Sequence, residues 1–308
     1  MSTARGLVAA QSARFASLDP LLPPAVEPPE GDVITAALPD GGRVAALLSH
    51  QVYPPQSVTR LWSAAEVWEL VPLVGDAGGA GMEALVRVWR QRMDALDSGD
   101  PDSSCVVHWP SRDAEATRVF LGHGMVPLSV LGVRIAPPPA RPRTTLTIRR
   151  ATPADLEAVV ELSLEELRYS SFVGSTVMRD EAPALKRRTM GERLAAASPV
   201  WLAERDGIPV AMAECAIVPS EPGTAASIRL PHGRWGYVNC VSVLPGARGS
   251  GIGQQLMAYA HQELHRMGVV GTYLYYNPPN PLSSVFWPRQ GYRPLWTVWE
   301  VRPASGLR

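Results

Sequence analysis

Val243-Leu244-Pro245-Gly246-Ala247-Arg248-Gly249-Ser250-Gly251-Ile252-Gly253 joins an apolar, β-prone run, Tyr237 to Val243, to a stretch with helical spacing. Glycines at such a strand-to-helix junction let the backbone aim its N–H groups at an anion without a Cβ in the way. The helix N-terminus behind them adds partial positive charge. Arg248 brings a guanidinium that can meet a phosphate with two parallel hydrogen bonds. Ile252, Leu256, Tyr259 or Ala260, and Met267 supply the apolar face that anchors the helix. Two nucleotide motifs fail on specifics. A P-loop running from Gly246 to Gly251 would need Lys where Ile252 stands, and a Rossmann turn from Gly249 would need Gly where Gln254 stands. The stretch therefore reads as an anion-binding loop of another kind, in an α/β fold.

The rest of the chain sets bounds on that reading. At 308 residues it is long enough for two domains, each with its own core. Apolar residues make up 46% and charged residues 19%, as in a folded globular protein. The 29 basic and 29 acidic residues cancel, so no global field favours nucleic acid or an anionic membrane, and an acidic ligand must be held locally. Cys105, Cys215 and Cys240 are odd in number and far apart, which argues for free thiols in a reducing compartment. The apolar run between Arg5 and Ala10 is too short for a signal-peptide core or a membrane span. The expected location is the cytoplasm.

Ala136-Pro137-Pro138-Pro139-Ala140-Arg141-Pro142-Arg143 favours extended backbone with few ladder donors and reads as a domain boundary. The expected organisation is a first domain over 1–136, a Pro-rich linker over 137–143 and a second domain over 144–308. Thr145 to Arg149 reads as a strand. Thr152-Pro153-Ala154-Asp155 then opens a helix with a capping residue, a proline at the first helical position and an acid at the third. A second helix spans Ala182 to Ala197. Val200 to Glu204 and Ile208 to Val218, joined by Arg205-Asp206-Gly207, form a hairpin. After the Tyr237 strand and the Ile252 helix come a strand from Val269 to Tyr275, a short helix near Pro281 to Arg289, and a strand from Leu295 to Arg302. The result is a mixed α/β sheet. His261 and His265 are four apart on a helix, but Gln262 stands where a zinc-protease motif needs Glu, so a solvated surface is expected there.

Arg248, Gly251 and Gly253 match the Gln/Arg-x-x-Gly-x-Gly/Ala pattern of the GCN5-related N-acetyltransferase (GNAT) superfamily, which the second half resembles from about Thr145 to Arg302. Ile148 to Leu156 at the entry and Gln290-Gly291-Tyr292-Arg293-Pro294 near the exit extend the likeness. The resemblance implies acetyl-CoA as cosubstrate, a V-shaped opening between the Tyr237 and Val269 strands, and direct attack of an amine on the thioester. It implies cofactor contacts from Val241, Ser242, Val243, Arg248, Gly249, Ser250, Gly251, Ile252, Gly253, Asn280 and Ser283. The acceptor would be a primary amine of a small molecule or peptide. Oligomeric state is not legible.

One position departs from the family pattern. Trp287 stands where the family usually has a tyrosine that protonates the leaving thiolate, and an indole N–H does not titrate usefully. Ser283 or Ser284 with water, or direct release of a stable thiolate, could substitute, with Tyr237 and Tyr276 as weaker candidates. Glu204 and Glu214 on predicted strands are candidate bases, as is His232 in a loop. Glu165, Glu166, Arg168 and Tyr169 lie where the family builds an acceptor wall. A non-catalytic acyl-CoA-binding or sensing protein is the alternative that Trp287 motivates.

The first half carries a worn copy of the second. Val119 to Leu128 lies against Phe286 to Leu295, and Ala77-Gly78-Gly79-Ala80-Gly81-Met82 lies against the pyrophosphate loop with Ala77 in place of Arg248. Asp113 faces Asn280, placing an acid where the cofactor site wants a neutral amide. The fold class expected is α/β, with two GNAT-like mixed-sheet domains in tandem and the first degenerate.

Overall fold

All eleven strands among the described residues belong to one sheet. The structure is a computed structural model and describes residues 2–27, 31–96, 99–138, 146–174 and 176–308. Its strands are β1 (Asp32–Ala37), β2 (Arg43–Val52), β3 (Glu66–Leu73), β4 (Ser103–Pro110), β5 (Val126–Arg134), β6 (Thr147–Arg150), β7 (Val200–Arg205), β8 (Ile208–Ser220), β9 (Gly233–Val243), β10 (Gly271–Tyr276) and β11 (Arg293–Val301). The helices are α1 (Ser2–Leu18), α2 (Gly78–Leu96), α3 (Ala114–Gly122), α4 (Leu156–Phe172), α5 (Ala182–Ala195), α6 (Ile252–Arg266) and α7 (Ser283–Arg289). Most of the linker expected over 137–143, from residue 139 on, lies outside the described residues, as does Thr145.

The spatial order is β1-β2-β3-β4-β11-β5-β10-β9-β8-β7-β6. The succession β3-α2-β4-α3-β5 recurs as β9-α6-β10-α7-β11, with a parallel pair, β3 with β4 and β9 with β10, at the start of each. The two copies trade their last strands. β11 lies antiparallel between β4 and β5, with Val298 opposite His108, while β5 lies antiparallel beside β10. Side chains enforce the exchange. Trp296 and Trp299 of β11 are buried in the first half's core, where Trp296 meets Phe15 edge-on at 5.5 Å and Trp299 meets Phe120 at 5.3 Å. Burying two indoles at about 25 cal/mol per Å² over roughly 200 Å² each is worth up to about 10 kcal/mol, comparable to a whole domain's net stability.

Local sequence signals hold in the second half. Thr152 and Asp155 form the reciprocal capping box ahead of α4, and Arg149 clamps Asp155 at 2.7 and 2.9 Å. Asp206 and Gly207 both take positive φ, 53° and 78°, and turn β7 into β8. His261 departs from expectation. It is buried, and its Nε2 lies 2.9 Å from the Tyr292 hydroxyl, which also meets Thr272 at 2.8 Å. The helix turns this histidine under β10 and not toward water. No helix among the described residues is long and apolar enough to cross a membrane.

Two outcomes follow from this packing. A fragment of residues 1–136 lacks β11 and leaves β4 and β5 without their shared neighbour. It is expected to lack cooperative thermal unfolding by circular dichroism, and a sharp transition would show that β11 is dispensable. Burial, helped by the charge of Arg134, lowers the pKa of His261 from 6.5 to about 3, so the native state binds fewer protons than the unfolded chain. Its stabilising contribution is full above pH 6.5 and is lost as pH falls toward 3. The variant His261→Gln should show a shallower loss of melting temperature across that window.

Candidate functional site

The parting of two strands builds the site. β9 and β10 pair only from Trp235 opposite Gly271 to Tyr237 opposite Tyr273. Beyond Tyr237, β10 continues beside β5 and β9 continues beside β8, so among the described residues β9 has no partner on its β10 side from Val238 to Val243. A bulge starts the divergence. Glu214 of β8 pairs with Cys240 and Cys215 with Val238, which leaves Asn239 as the extra residue. The Asn239 side-chain amide donates to Glu214 Oε1 at 2.8 Å, and Arg193 of α5 meets the same oxygen at 2.7 Å.

The glycine loop from Pro245 to Gly251 closes the open end of β9. Gly249 and Gly251 take φ of 80° and 78°, a left-handed conformation that a side chain would strain. A Cβ built at Gly246 or Gly249 meets no atom within 4 Å, so the cradle is open. α6 begins at Ile252 and points its N-terminus into that space. Ser250 Oγ donates to the Ala247 carbonyl at 2.8 Å and accepts from Arg205 at 3.1 Å. Arg248 lies across the loop, donating to the Val243 carbonyl at 2.9 Å and to Glu165 of α4 at 3.1 Å, above the Tyr169 ring.

α7 forms the facing wall. Asn280 Oδ1 accepts from the backbone N–H groups of Leu282 and Ser283 at 3.0 and 3.1 Å, and the Ser283 hydroxyl donates to the Asn277 carbonyl at 3.1 Å. Both side chains line the opening while spending polar atoms on their own turn. Trp287 is 9% exposed and packs edge-on against Phe286 and Tyr292.

A cavity of about 1070 Å³ runs from this loop along β9 and across the sheet. Small-ligand pockets span roughly 300–1,000 Å³, so this one is at the upper end of that range. Val241, Ser242, Val243, Arg248, Gly249, Gly251, Ile252, Gly253, Asn280 and Ser283 all line it. The two predicted carboxylate bases do not. Glu204 is held by Arg149 at 2.7 Å on the β6–β7 side of the sheet, and Glu214 is fully buried, pinning the Asn239 bulge. His232 is exposed outside the cavity. Glu166 of α4 does line it, accepting from Ser170 at 2.6 Å, and burial pushes its carboxyl above the usual range.

The far end belongs to the first half. Tyr53, Thr59, Trp62, Glu69 and His108 line the same cavity, beside Tyr275 and Glu300 from the second half. The 3-10 turn Val58–Leu61 that carries this wall is held against α5. Arg179 clamps the wall by donating to Asp102 at 2.9 and 3.0 Å and to the Arg60 carbonyl. Nothing local marks these residues as a site. Their one sequence signal is polarity in apolar strands: Glu69 within Val67 to Leu73, and His108 within Cys105 to Trp109.

Two variants test the loop. Arg248→Ala should weaken CoA binding by about 1.5–3 kcal/mol, the worth of one charged hydrogen bond. Glu165→Gln should strengthen it by roughly 0.5–1 kcal/mol, since the partly exposed ion pair no longer competes for the guanidinium. Calorimetric titration checks both, and unchanged affinities would contradict the assigned loop.

Comparison with known proteins agrees with this geometry. Residues 161–292 match the family model described as Acetyltransferase (GNAT) family. A search of curated protein sequences finds no significant match. Among solved structures, a GCN5-related N-acetyltransferase from Sphaerobacter thermophilus is 17% identical with a TM-score of 0.58, over 98% of this chain and 92% of that one. A tandem GNAT protein from the clavulanic acid biosynthesis pathway is 14% identical with a TM-score of 0.51, over 98% of this chain and 95% of that one. Residues 161–292 thus carry a domain of the GNAT family, and the chain as a whole shares its fold with proteins of this kind.

Proposed function

We propose that the second half binds acetyl-CoA and passes its acetyl group directly to a primary amine of a small molecule or peptide. The observation that carries this reading is the parting of β9 from β10 beneath an open glycine cradle, leading into one cavity. Backbone N–H groups of the loop, the α6 N-terminus and Arg248 would hold the pyrophosphate. The unpaired edge of β9 at Val241, Ser242 and Val243 would take the pantetheine amides, and a backbone N–H there would meet the thioester oxygen as charge develops. Ser250 and Ile252 complete the loop, and Asn280 and Ser283 shape the opposite wall.

The first half would not bind a second cofactor, because α1 fills the equivalent groove. The Gln11 side-chain amide donates to the Pro72 carbonyl at 3.0 Å and accepts from Val74 N–H at 2.8 Å, pairing with the end of β3. Glu115 Oε2 accepts from Gly79 N–H at 3.0 Å at the α2 N-terminus and meets Arg14 at 3.1 Å. A protein carboxylate thus sits where a phosphate would. Asp113, facing Asn280 in the repeat, is buried under Arg14 and caps α3. This is the sense in which the first copy is degenerate.

For the proton, Glu166 is better placed than Glu204 or Glu214. A carboxylate held above its usual range by burial is suited to take a proton from an ammonium near neutral pH. Activity should rise with pH as Glu166 ionises, and Glu166→Gln should remove that acidic limb from the kcat/KM profile. Trp287 favours the second reading, a protein that binds acyl-CoA without turnover. Thiol release from acetyl-CoA across a broad amine panel separates the two: turnover with any amine supports the enzyme, and tight acetyl-CoA binding with no thiol release from any of them excludes it.

A further inference from the structure

The cavity is longer than acetyl transfer to a small amine requires. β3, which carries Glu69, stands five places from β9 in the sheet. At about 4.8 Å per strand the two ends are separated by on the order of 20 Å along the sheet. What fills the far end must belong to the acceptor, since the pyrophosphate loop and the unpaired edge of β9 are at the other.

The chemistry of that end is specific. Glu69 is 27% exposed, and the nearest basic nitrogens, His108 Nε2 and Arg229 Nη2, each lie 3.6 Å from Oε1. A charge-assisted hydrogen bond is about 2.7–2.9 Å, so neither contact satisfies the carboxylate. Among the described residues the Glu69 side chain makes these two long ion-pair contacts and no hydrogen bond, and it lines the cavity. Burial raises its pKa, with Arg229 opposing, while burial and the charge of Arg229 hold His108 neutral. Tyr53 and Tyr275 feel the Glu69 charge, and the Trp62 ring lines the same end. Glu300, the other acid here, is already paired with Arg302 at 2.9 Å. A carboxylate with open coordination among aromatic rings suits an organic cation, which would gain both a charged hydrogen bond and ring-face attraction.

We infer that the acceptor is an elongated amine with a second cationic group, and that Glu69 binds this distal cation while the first amine meets the thioester. This rests on the acetyltransferase reading. Glu69 is thereby a specificity residue contributed by the first half, and its loss should appear in KM and not in kcat.

Initial rates with propanediamine, dodecanediamine, spermine and octylamine test it, on the full chain and on Glu69→Gln, with acetyl-CoA affinity as the control for folding. The wild type should favour dodecanediamine and spermine over the short diamine and the monoamine. Glu69→Gln should raise KM for the two long amines about tenfold and leave their kcat and the octylamine KM within about twofold, as for a lost binding contact remote from the chemistry. An unchanged KM for the long amines in the variant, or octylamine used as well as dodecanediamine by the wild type, overturns the inference. Should no amine turn over while acetyl-CoA binds, the acetyltransferase reading falls, and calorimetric titration of dodecanediamine decides this point alone. Binding lost in Glu69→Gln supports it, and absent or Glu69-independent binding overturns it.

Discussion

The pairing of β11 with β4 on one side and β5 on the other is the constraint on which the rest of the structure depends. Without it the sheet would divide between β4 and β5, leaving β1 to β4 on their own while β5 stays paired with β10. With it, the face of β3 and β4 is continuous with the opening beside β9, so a single cavity takes residues from both halves. Trp296 and Trp299 make the arrangement cooperative, because their indoles complete the first half's core while their backbone completes its ladder. Loss of either copy would expose apolar surface and unpaired strand edges together.

Within that frame, two helix N-termini with the same field meet different surroundings. α6 opens onto empty space beside Arg248, whereas α2 meets the Glu115 carboxylate and Arg14, with Gln11 paired to the strand before it. A helix dipole attracts an anion, but an internal carboxylate satisfies it as well as a ligand does. The difference between the copies thus lies in what packs against the loop as much as in the loop itself. α1 is the element that decides it, and it comes from outside the repeat.

The Asn239 bulge shows how a buried charge can serve geometry. Glu214 is removed from water, which is costly unless its partners are good, and it has two, Arg193 and the Asn239 amide. The hydrogen bond fixes the extra residue of β9 at the point where the strand turns from β10. A strand carboxylate that sequence reading offers as a base is better understood as holding the opening in shape.

What the sequence by itself determined were local matters: the capping box at Thr152, the Asp206-Gly207 turn, the glycine loop and its helix, the repeated succession of elements, and through these the family likeness of the second half. Each depends on residues within a few positions of one another, where backbone sterics and helix-end hydrogen bonding act directly. Glu204, Glu214 and His261 were misjudged because a strand or helix pattern says that a side chain has two faces and not which neighbour covers each. Tyr53, Glu69 and His108 were invisible as site residues for a stronger reason. They join the cavity only because β11 crosses into the first half, and the partner of an edge strand is settled by long-range pairing and core packing that no local pattern encodes. The tertiary structure alone decided that the far end of the cavity belongs to the half without the open loop.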